Sequence, residues 1–217
     1  MTKLVSKDKI QSLFTDEQTI MVGGFIESGV PAELIKILLE SKASQLTLIA
    51  NDTGFDDQTF GQLVVEKRIK KAIVSHVGTN RETGKQMNGG ELEVELTPQG
   101  TLVEQIRAGG AGLGGILTKT GVGTTVAEDK RIINVDGQDY ILAKPLEADI
   151  ALVKAWKADK KGNLIYRYAA RNFNPIVATA AEIVIVEAEE ILEVGEIDSN
   201  QVMTPGLFVD YILEKSQ

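Results

Sequence analysis

The chain has 217 residues, of which 31 are acidic and 23 basic, giving a net charge of −8. It contains no cysteine and one histidine, His76, so disulfides, thiolate catalysis and metal sites built from cysteines or several histidines are excluded within one chain. The acidic balance argues against partners such as nucleic acid or an anionic membrane. No apolar run approaches the roughly 18 residues of a membrane span, and the N-terminus lacks the apolar core of a signal peptide. We therefore expect one globular domain over residues 1–217, in the cytoplasm and without a metal.

The first half of the chain alternates between helical and strand-like segments. Ser6 can cap a short helix, and the apolar run 19–22, which ends at two glycines, is typical of a buried strand. Pro31 suits the first turn of a helix over residues 32–39. The elements predicted after it are a strand over 46–50, a short helix around 62–65, a strand over 72–75, a strand over 92–96 and a helix over 101–108.

The second half adds a hairpin and two further core strands. Asp136-Gly137 is a turn signal between the strand-like runs 131–135 and 138–143. The later predicted elements are core strands over 150–153 and 183–186, with a helix between them that begins at Asn174-Pro175 and runs through 178–181. This alternation predicts an α/β fold with three layers, α/β/α, a mainly parallel sheet and a β-hairpin insertion.

Three predicted loops follow strands of this sheet. They are Gly23-Gly24, residues 51–54 and residues 76–80. In parallel sheets, ligands bind at the loops that leave the carboxyl ends of strands. We therefore expect the functional site at this edge.

Glycine is concentrated in a few segments, and Gly110–Gly115 matches the formula G-x-G-x-x-G. A dinucleotide fingerprint must follow a strand and open a helix, so that the phosphate meets a helix N-terminus. Here the glycines follow the predicted helix 101–108, which favours a flexible or tightly folded loop. An NAD-dependent reductase built on this segment is one alternative function.

Two other features, Gly84-Lys85 and His76, are weak indications of a functional site. Gly84-Lys85 lacks both the glycine spacing and the Ser or Thr of a phosphate-binding loop, so we reject it. His76 has a side chain whose unperturbed pKa lies near neutrality, which suits a general base. A lone histidine at a strand end is more often structural or solvated.

The most informative stretch is residues 16–31. An apolar strand leads to Gly23-Gly24 and Phe25, and the loop is closed by Gly29 and Pro31. The backbone amides of the glycine pair can approach a ligand closely because no Cβ intervenes. Amides just before a helix suit a phosphate or a developing oxyanion. From the residues alone, an anion-binding loop and a merely tight turn both remain open.

This stretch resembles the N-terminal signature of the family I coenzyme A transferases, in which an acidic residue and an apolar strand precede G-G-F-x-x-x-G-x-P. Glu17 departs from the Gly or Asn that usually follows the acidic residue. Six further blocks match in order: S-H-V-G-T-N (75–80), G-E-L-E-V-E-L-T-P-Q-G-T-L (90–102), I-R-A-G-G-A-G (106–112), T-G-V-G-T (120–124), A-L-V-K-A-W-K-A-D (151–159) and A-R-N-F-N-P (170–175). The chain is similar to the α, or A, subunits of the acetate/acetoacetate type.

The resemblance implies an enzyme that moves CoA between an acyl-CoA and a free carboxylate through a glutamyl-CoA thioester. In the family the attacking glutamate belongs to an S-E-N-G motif on the β, or B, half, and that motif is absent here. We therefore expect no catalytic nucleophile in this chain, a β partner that carries it and an α2β2 heterotetramer. CoA or acyl-CoA is then a substrate, and no permanently bound cofactor is expected.

The same resemblance suggests site residues. The family's CoA-binding motif falls on Gly23, Gly24, Phe25, Ile26, Glu27, Ser28 and Gly29. Asn51 and Gln99 are expected to line the acyl pocket. The resemblance implies exchange of acids of the acetate, acetoacetate or butyrate type, with a succinyl-CoA:3-oxoacid enzyme as the first alternative and a noncatalytic scaffold domain as an alternative of another class.

Overall fold

Strands and helices alternate along the whole chain in the computed structural model, which describes residues 2–214. The strands are β1 (Leu4–Val5), β2 (Thr19–Val22), β3 (Leu46–Ile49), β4 (Ile69–Val74), β5 (Glu93–Leu96), β6 (Ile116–Thr118), β7 (Ile132–Val135), β8 (Gln138–Ala143), β9 (Ala148–Asp159), β10 (Leu164–Ile165), β11 (Ala181–Leu192) and β12 (Tyr211–Leu213). The helices are α1 (Lys7–Gln11), α2 (Ala32–Ser41), α3 (Gly61–Val65), α4 (Arg81–Asn88), α5 (Gln99–Gly110) and α6 (Asn174–Val177).

The main sheet has the strand order β1-β12-β11-β9-β2-β3-β4-β5, and every neighbouring pair along this path is parallel. Strand β10 adds an antiparallel pair to β9. Because the strands are parallel, β2, β3, β4 and β5 all end at the same edge of the sheet. The mainly parallel α/β architecture predicted from the sequence is confirmed.

Helices cover both faces of the sheet. One hydrophobic cluster joins the sheet to α1, α2 and α3, through residues such as Ile10, Leu34 and Leu63. A second cluster joins the opposite face to α5 and α6, through Leu102 and Val177. Continuous apolar runs such as β2 are what a strand buried on both faces requires. The order of layers is therefore α/β/α.

Strands β9 and β11 are much longer than the predicted segments 150–153 and 183–186. They pair in register from Ala148 and Ala181 to their far ends. Beyond the apolar middle, charged side chains face each other across the pair, as in the Lys157–Glu190 ion pair at 2.9 Å. The apolar pattern marks only the buried centre, whereas cross-strand pairing extends both strands.

One helix prediction needs correction, and one helix was not predicted. The helix that begins at Asn174 ends at Val177 rather than continuing through 178–181. Just beyond its end, the Thr179 hydroxyl donates to the Ile176 carbonyl in the last turn of the helix. Ala181 instead begins β11, where it pairs with β9. Helix α4 was not predicted, because its sequence is strongly polar. Its start is stabilised by the Asn80 side chain, which accepts the Thr83 amide at 2.9 Å.

The hairpin insertion is confirmed and is part of a small separate sheet. Strand β8 pairs with β7 on one side and with β6 on the other, both antiparallel. Asp136 and Gly137 have φ values of 50° and 80°, as a two-residue hairpin turn with left-handed central residues requires. Among residues 2–214, no helix is both long and apolar enough to cross a membrane.

Candidate functional site

The loop of residues 23–29 leaves the carboxyl end of β2 and forms a tight turn. Phe25 and Ser28 exchange two backbone hydrogen bonds, of 3.0 and 2.9 Å, around Ile26 and Glu27. Ile26 has φ 54°, a conformation that a β-branched residue rarely adopts. Such strain persists only where the surroundings enforce it, and it is concentrated at ligand-binding sites.

One side of the turn is held by Asp52, which follows β3. Its carboxylate is 1% exposed and accepts the Ile26 amide at 2.8 Å. It also accepts the Asn51 side-chain amide at 2.7 Å and the Gly54 backbone amide at 2.8 Å. Three N–H donors thus compensate a buried carboxylate that has no basic partner among the described residues.

The other side of the turn is held by two asparagines around the start of α6. Asn174 is wholly buried; its Nδ2 donates to the Gly29 carbonyl at 2.9 Å and its Oδ1 accepts the Lys154 amide at 2.8 Å. Asn172 Nδ2 donates to the Ser28 carbonyl at 2.9 Å. Two segments that are about 145 residues apart in sequence therefore fix the loop together.

Packing explains why the loop contains glycines. A Cβ on Gly23 would lie 2.0 Å from Asn174 Oδ1. Gly24 has φ 119°, and a Cβ there would lie 2.6 Å from a methyl carbon of Val30. Close packing within the chain therefore requires glycine at both positions.

The turn nevertheless leaves backbone donors free. The amides of Gly24, Glu27 and Gly29 donate to no acceptor in the part of the chain that the structure describes. Phe25 beside them is 42% exposed, although most large apolar side chains are buried. Free amides in a fixed turn are suited to bind an anion or a polarised carbonyl oxygen.

Asn51 and Gln99 lie together, as their positions after neighbouring strands suggest. Gln99 is the first residue of α5, and its Nε2 donates to Asn51 Oδ1 at 2.5 Å. Asn51 is 4% exposed, whereas Gln99 is exposed. Asn51 also donates a hydrogen bond to Asp52, and Asp52 accepts the Ile26 amide of the loop. The predicted pocket residues and the predicted loop are therefore parts of one hydrogen-bond network.

Glu27 is the carboxylate at the tip of the turn. Thr59 Oγ1 lies 3.2 Å from its Oε1. Burial raises the pKa of Glu27 above its ordinary value, the charges of Asp52 and Asp57 raise it further, and the Thr59 hydrogen bond opposes the shift. This environment favours the neutral form of Glu27 relative to a solvated glutamate.

The remaining candidates do not join this network. His76 is exposed, and its side chain forms no hydrogen bond or ion pair with any residue from 2 to 214. Across those same residues, no group of three or more His, Asp or Glu side chains is placed to hold a metal ion. Gly84 and Lys85 lie inside α4.

The segment Gly110–Gly115 lacks the geometry of a dinucleotide site. Gly110 is the last residue of α5, and the chain then turns and enters β6 at Ile116. A phosphate there would face the carbonyl end of a helix, where the dipole is negative. The reductase alternative is therefore wrong on geometric grounds.

The sequence model of the coenzyme A transferase family matches residues 5–215. The chain belongs to this family. Among its transferase relatives, the alpha subunit of the acetate CoA-transferase of Escherichia coli K12 is 52% identical over 98% of this chain and 96% of that protein. The acetoacetyl-CoA:acetate/butyrate CoA transferase alpha subunit of Clostridium acetobutylicum is 45% identical over 99% and 98%. The A-type subunit of a probable succinyl-CoA:3-ketoacid coenzyme A transferase of Bacillus subtilis is 48% identical over 98% and 90%.

Solved transferase structures share the fold. Glutaconate coenzyme A-transferase of Acidaminococcus fermentans superposes with a TM-score of 0.86, at 21% identity, over 98% of this chain and 75% of that one. An acyl-CoA transferase of Escherichia coli O157:H7 gives a TM-score of 0.85, at 21% identity, over 99% of this chain and 47% of that one. This chain thus spans about half the length of the latter protein.

Sequence reasoning missed three residues that hold the loop: Asp52, Asn172 and Asn174. The two asparagines lie in the A-R-N-F-N-P block that contributes to the family resemblance, and Asp52 adjoins Asn51. The block signalled that these residues matter to the family. It did not signal that they contact residues 23–29.

Proposed function

We propose that this chain is the α subunit of a heteromeric CoA-transferase that moves CoA between a short-chain acyl-CoA and a free carboxylate. The observation that carries the proposal is the end-to-end match with the alpha subunit of the acetate CoA-transferase, 52% identical over 98% of this chain. The acetoacetyl-CoA:acetate/butyrate relative supports the same class of small acids. The proposed carboxylates are acetate, acetoacetate and butyrate, and the proposed location is the cytoplasm.

The A-type subunit of a succinyl-CoA:3-oxoacid CoA-transferase is the second candidate, because the Bacillus subtilis relative with a name of that kind is 48% identical. Succinate differs from acetate and butyrate by a second carboxylate, so its pocket must compensate an additional charge. Measured preference between succinyl-CoA and butyryl-CoA as donors therefore separates the two candidates.

The proposed nucleophile is a glutamate of an S-E-N-G motif on a β partner, since this sequence has no such motif. Its carboxylate attacks the thioester carbonyl of the acyl-CoA, and the CoA thiolate leaves. The thiolate then attacks the glutamyl carbonyl of the mixed anhydride, which releases the donor acid and leaves a glutamyl-CoA thioester. The acceptor carboxylate reverses these steps. The proposed assembly is α2β2.

This chain's own contribution is a fixed array of donors. The free amides of Gly24, Glu27 and Gly29 support binding of the thioester part of CoA by the loop 23–29. Asn51 and Gln99, already joined at 2.5 Å, supply amide groups beside it. Because the chain carries a net charge of −8, the CoA phosphates are proposed to meet backbone dipoles or basic residues of the partner.

The division of labour is tested with the purified chain, its β partner and the mixture. We expect a folded but inactive α chain, an inactive β chain and CoA transfer only when both are present. The assay follows acetyl-, butyryl- and succinyl-CoA donors against acetate and acetoacetate. Transfer by the α chain alone, with β contamination excluded by mass spectrometry, would contradict the proposal.

Covalent trapping locates the nucleophile independently. Incubation of the heteromer with acyl-CoA followed by borohydride reduces a glutamyl thioester to the alcohol but leaves carboxylates unchanged. We expect the modified peptide on β and none on this chain. Glu27 is the acidic residue inside the loop, so Glu27→Gln is the matched control and should leave β labelling intact. A label on Glu27 would instead place the nucleophile here.

A further inference from the structure

We propose that Asp52 is a positioning residue of this site: one buried carboxylate sets both the turn of the loop at Ile26 and the direction in which Gln99 presents its amide. The inference rests on the proposed function, because it concerns the same site. Asp52 itself is 1% exposed and therefore acts through its neighbours. Its two neighbours in this role are Ile26 and Asn51.

Asp52 sets the direction of the Asn51 side-chain amide. The Ile26 and Gly54 backbone amides are donors only, and they contact different oxygens of Asp52, so both oxygens act as acceptors. The Asn51 group that lies 2.7 Å from Asp52 Oδ2 must then be its NH2 group. The Asn51 carbonyl oxygen is consequently turned away from Asp52.

Asn51 in turn sets the direction of the Gln99 side-chain amide. Asn51 Oδ1 faces Gln99 at 2.5 Å, and an amide oxygen only accepts, so Gln99 must present its Nε2 there. Ser75 Oγ donates to the Asn51 backbone carbonyl at 2.7 Å and, being both donor and acceptor, leaves the orientation of the Asn51 side chain to Asp52. Gln99 is exposed, and without this contact its amide would be free to flip. A buried acceptor thus determines which donor and acceptor an exposed side chain offers to a ligand.

Asp52 also holds the loop, at Ile26. Ile26 is held at φ 54°, and its amide donates to Asp52 Oδ2, the same oxygen that Asn51 contacts. The next amide along the turn, that of Glu27, is one of the free donors. Loss of the Asp52 acceptor therefore releases the strained turn and the Gln99 amide together.

The test is a double-mutant cycle in the assembled heteromer, with Asp52→Asn, Gln99→Ala and the double variant. Asn has the shape of Asp but only one acceptor oxygen for three donors. We expect Asp52→Asn to lower kcat by about 10- to 100-fold with a smaller change in KM, because misplaced groups lose transition-state contacts first. In the Gln99→Ala background the same substitution should lower kcat by several-fold less, since part of its effect passes through Gln99.

Asp149→Asn is the matched control. Asp149 Oδ2 accepts the Thr19 backbone amide at 2.6 Å at the opposite edge of the same sheet. This variant should lower thermal stability and leave kcat unchanged. If Asp52→Asn does not assemble, Asn51→Ala combined with Gln99→Ala provides the second cycle, because Asn51 is the link.

A readout that does not depend on activity completes the test. In protein labelled with ¹⁵N in glutamine side chains, the Gln99 NH2 signal, identified by its loss in Gln99→Ala, should show one proton shifted and slow to exchange. Both features should disappear in Asp52→Asn and in Asn51→Ala. Additive effects on kcat, or an unchanged Gln99 signal, would overturn the role of Asp52. Absence of transfer by the wild-type heteromer would contradict the proposed function instead, and the Gln99 signal would still decide the inference.

Discussion

Two glycine-rich segments of this molecule differ sharply in what surrounds them. In the loop 23–29, Cβ atoms on Gly23 and Gly24 would collide with Asn174 and Val30. In the segment 109–123, Gly109, Gly110, Gly115 and Gly121 are closely packed as well, but the exposed part is open: Gly112, Gly114 and Gly123 have no atom within 4 Å of such a Cβ, and residues 111–114 are exposed. The difference teaches that glycine density alone does not indicate a binding loop. The proposed binding role of the loop 23–29 is supported instead by buried polar side chains that hydrogen-bond to its backbone.

The largest expected effect is that of Gly24→Val, compared with Gly112→Val. Both positions have positive φ, 119° and 65°, but only Gly24 is packed against another residue. We expect Gly24→Val to lower the free energy of unfolding by about 2–6 kcal/mol, from backbone strain of about 1–3 and overpacking of about 1–3. Gly112→Val should lower the free energy of unfolding only by the part that comes from backbone strain, about 1–3 kcal/mol. Equal losses in denaturant unfolding would show that packing around Gly24 contributes nothing.

The same Gly24→Val variant separates a structural role of Gly24 from a role in catalysis. An anion-binding loop predicts that a Cβ at Gly24 mainly blocks a ligand, but the φ of 119° and the contact with Val30 make a loss of stability the primary effect. Activity per folded heteromer then separates the two roles. Normal kcat in the folded fraction of Gly24→Val would remove the loop from the site.

The next largest effect tests the contact between the loop and α6. Gly23→Ala places a Cβ 2.0 Å from Asn174 Oδ1, and Asn174 cannot move without losing its bonds to Gly29 and Lys154. We expect a loss of about 3 kcal/mol, or about 6–12 °C in Tm. Asn174→Ala should lower Tm less in the Gly23→Ala background than in wild type, because it removes the Oδ1 atom that the new Cβ would contact. Fully additive Tm changes would contradict the contact.

An intermediate prediction concerns ligands. The heteromer should bind CoA but show no saturable binding of NAD or NADH, because Gly110–Gly115 follows a helix rather than opening one. Gly114→Ala, with open space around its Cβ, should leave the KM for acyl-CoA within about twofold. Isothermal titration with both ligands checks this. Tight NAD binding that Gly114→Ala abolishes would restore the glycine segment as a site.

The smallest predicted effect is a pH-dependent gain in stability from Glu27→Gln. The folded-state pKa of Glu27 is raised by burial and by nearby carboxylates, so the folded protein binds more protons than the unfolded chain between the two pKa values. Stability is therefore lost as pH rises through that range. The variant should gain about 1–2 °C in Tm at pH 7 and nothing below about pH 4.

Glu128→Gln, on the exposed part of the chain after the second glycine-rich segment, is the control for this measurement. It should show no comparable pH-dependent gain. A Glu27→Gln gain that persists at low pH would show that removal of charge is not the cause.

Much of the fold followed from local patterns. Short apolar runs such as 19–22 and 46–50 predicted buried parallel strands, because only a sheet covered on both faces accommodates them. The Asp136-Gly137 turn predicted its hairpin, because its left-handed φ values suit these residues. That residues 1–217 form a single domain stays a prediction, as does any role of His76.

The sequence by itself determined the strand–helix alternation, the edge that carries the candidate site and the family, because these depend on periodicity, turn chemistry and ordered motifs. Only the tertiary structure decided the full length of β9 and β11 and the helical state of α4, since cross-strand ion pairs and an N-cap outweigh weak apolar signals. It also decided that Asp52 and Asn174 fix the loop from opposite sides. Those contacts join residues that are 26 and 145 positions apart, and their geometry arises only when the sheet brings its carboxyl ends together.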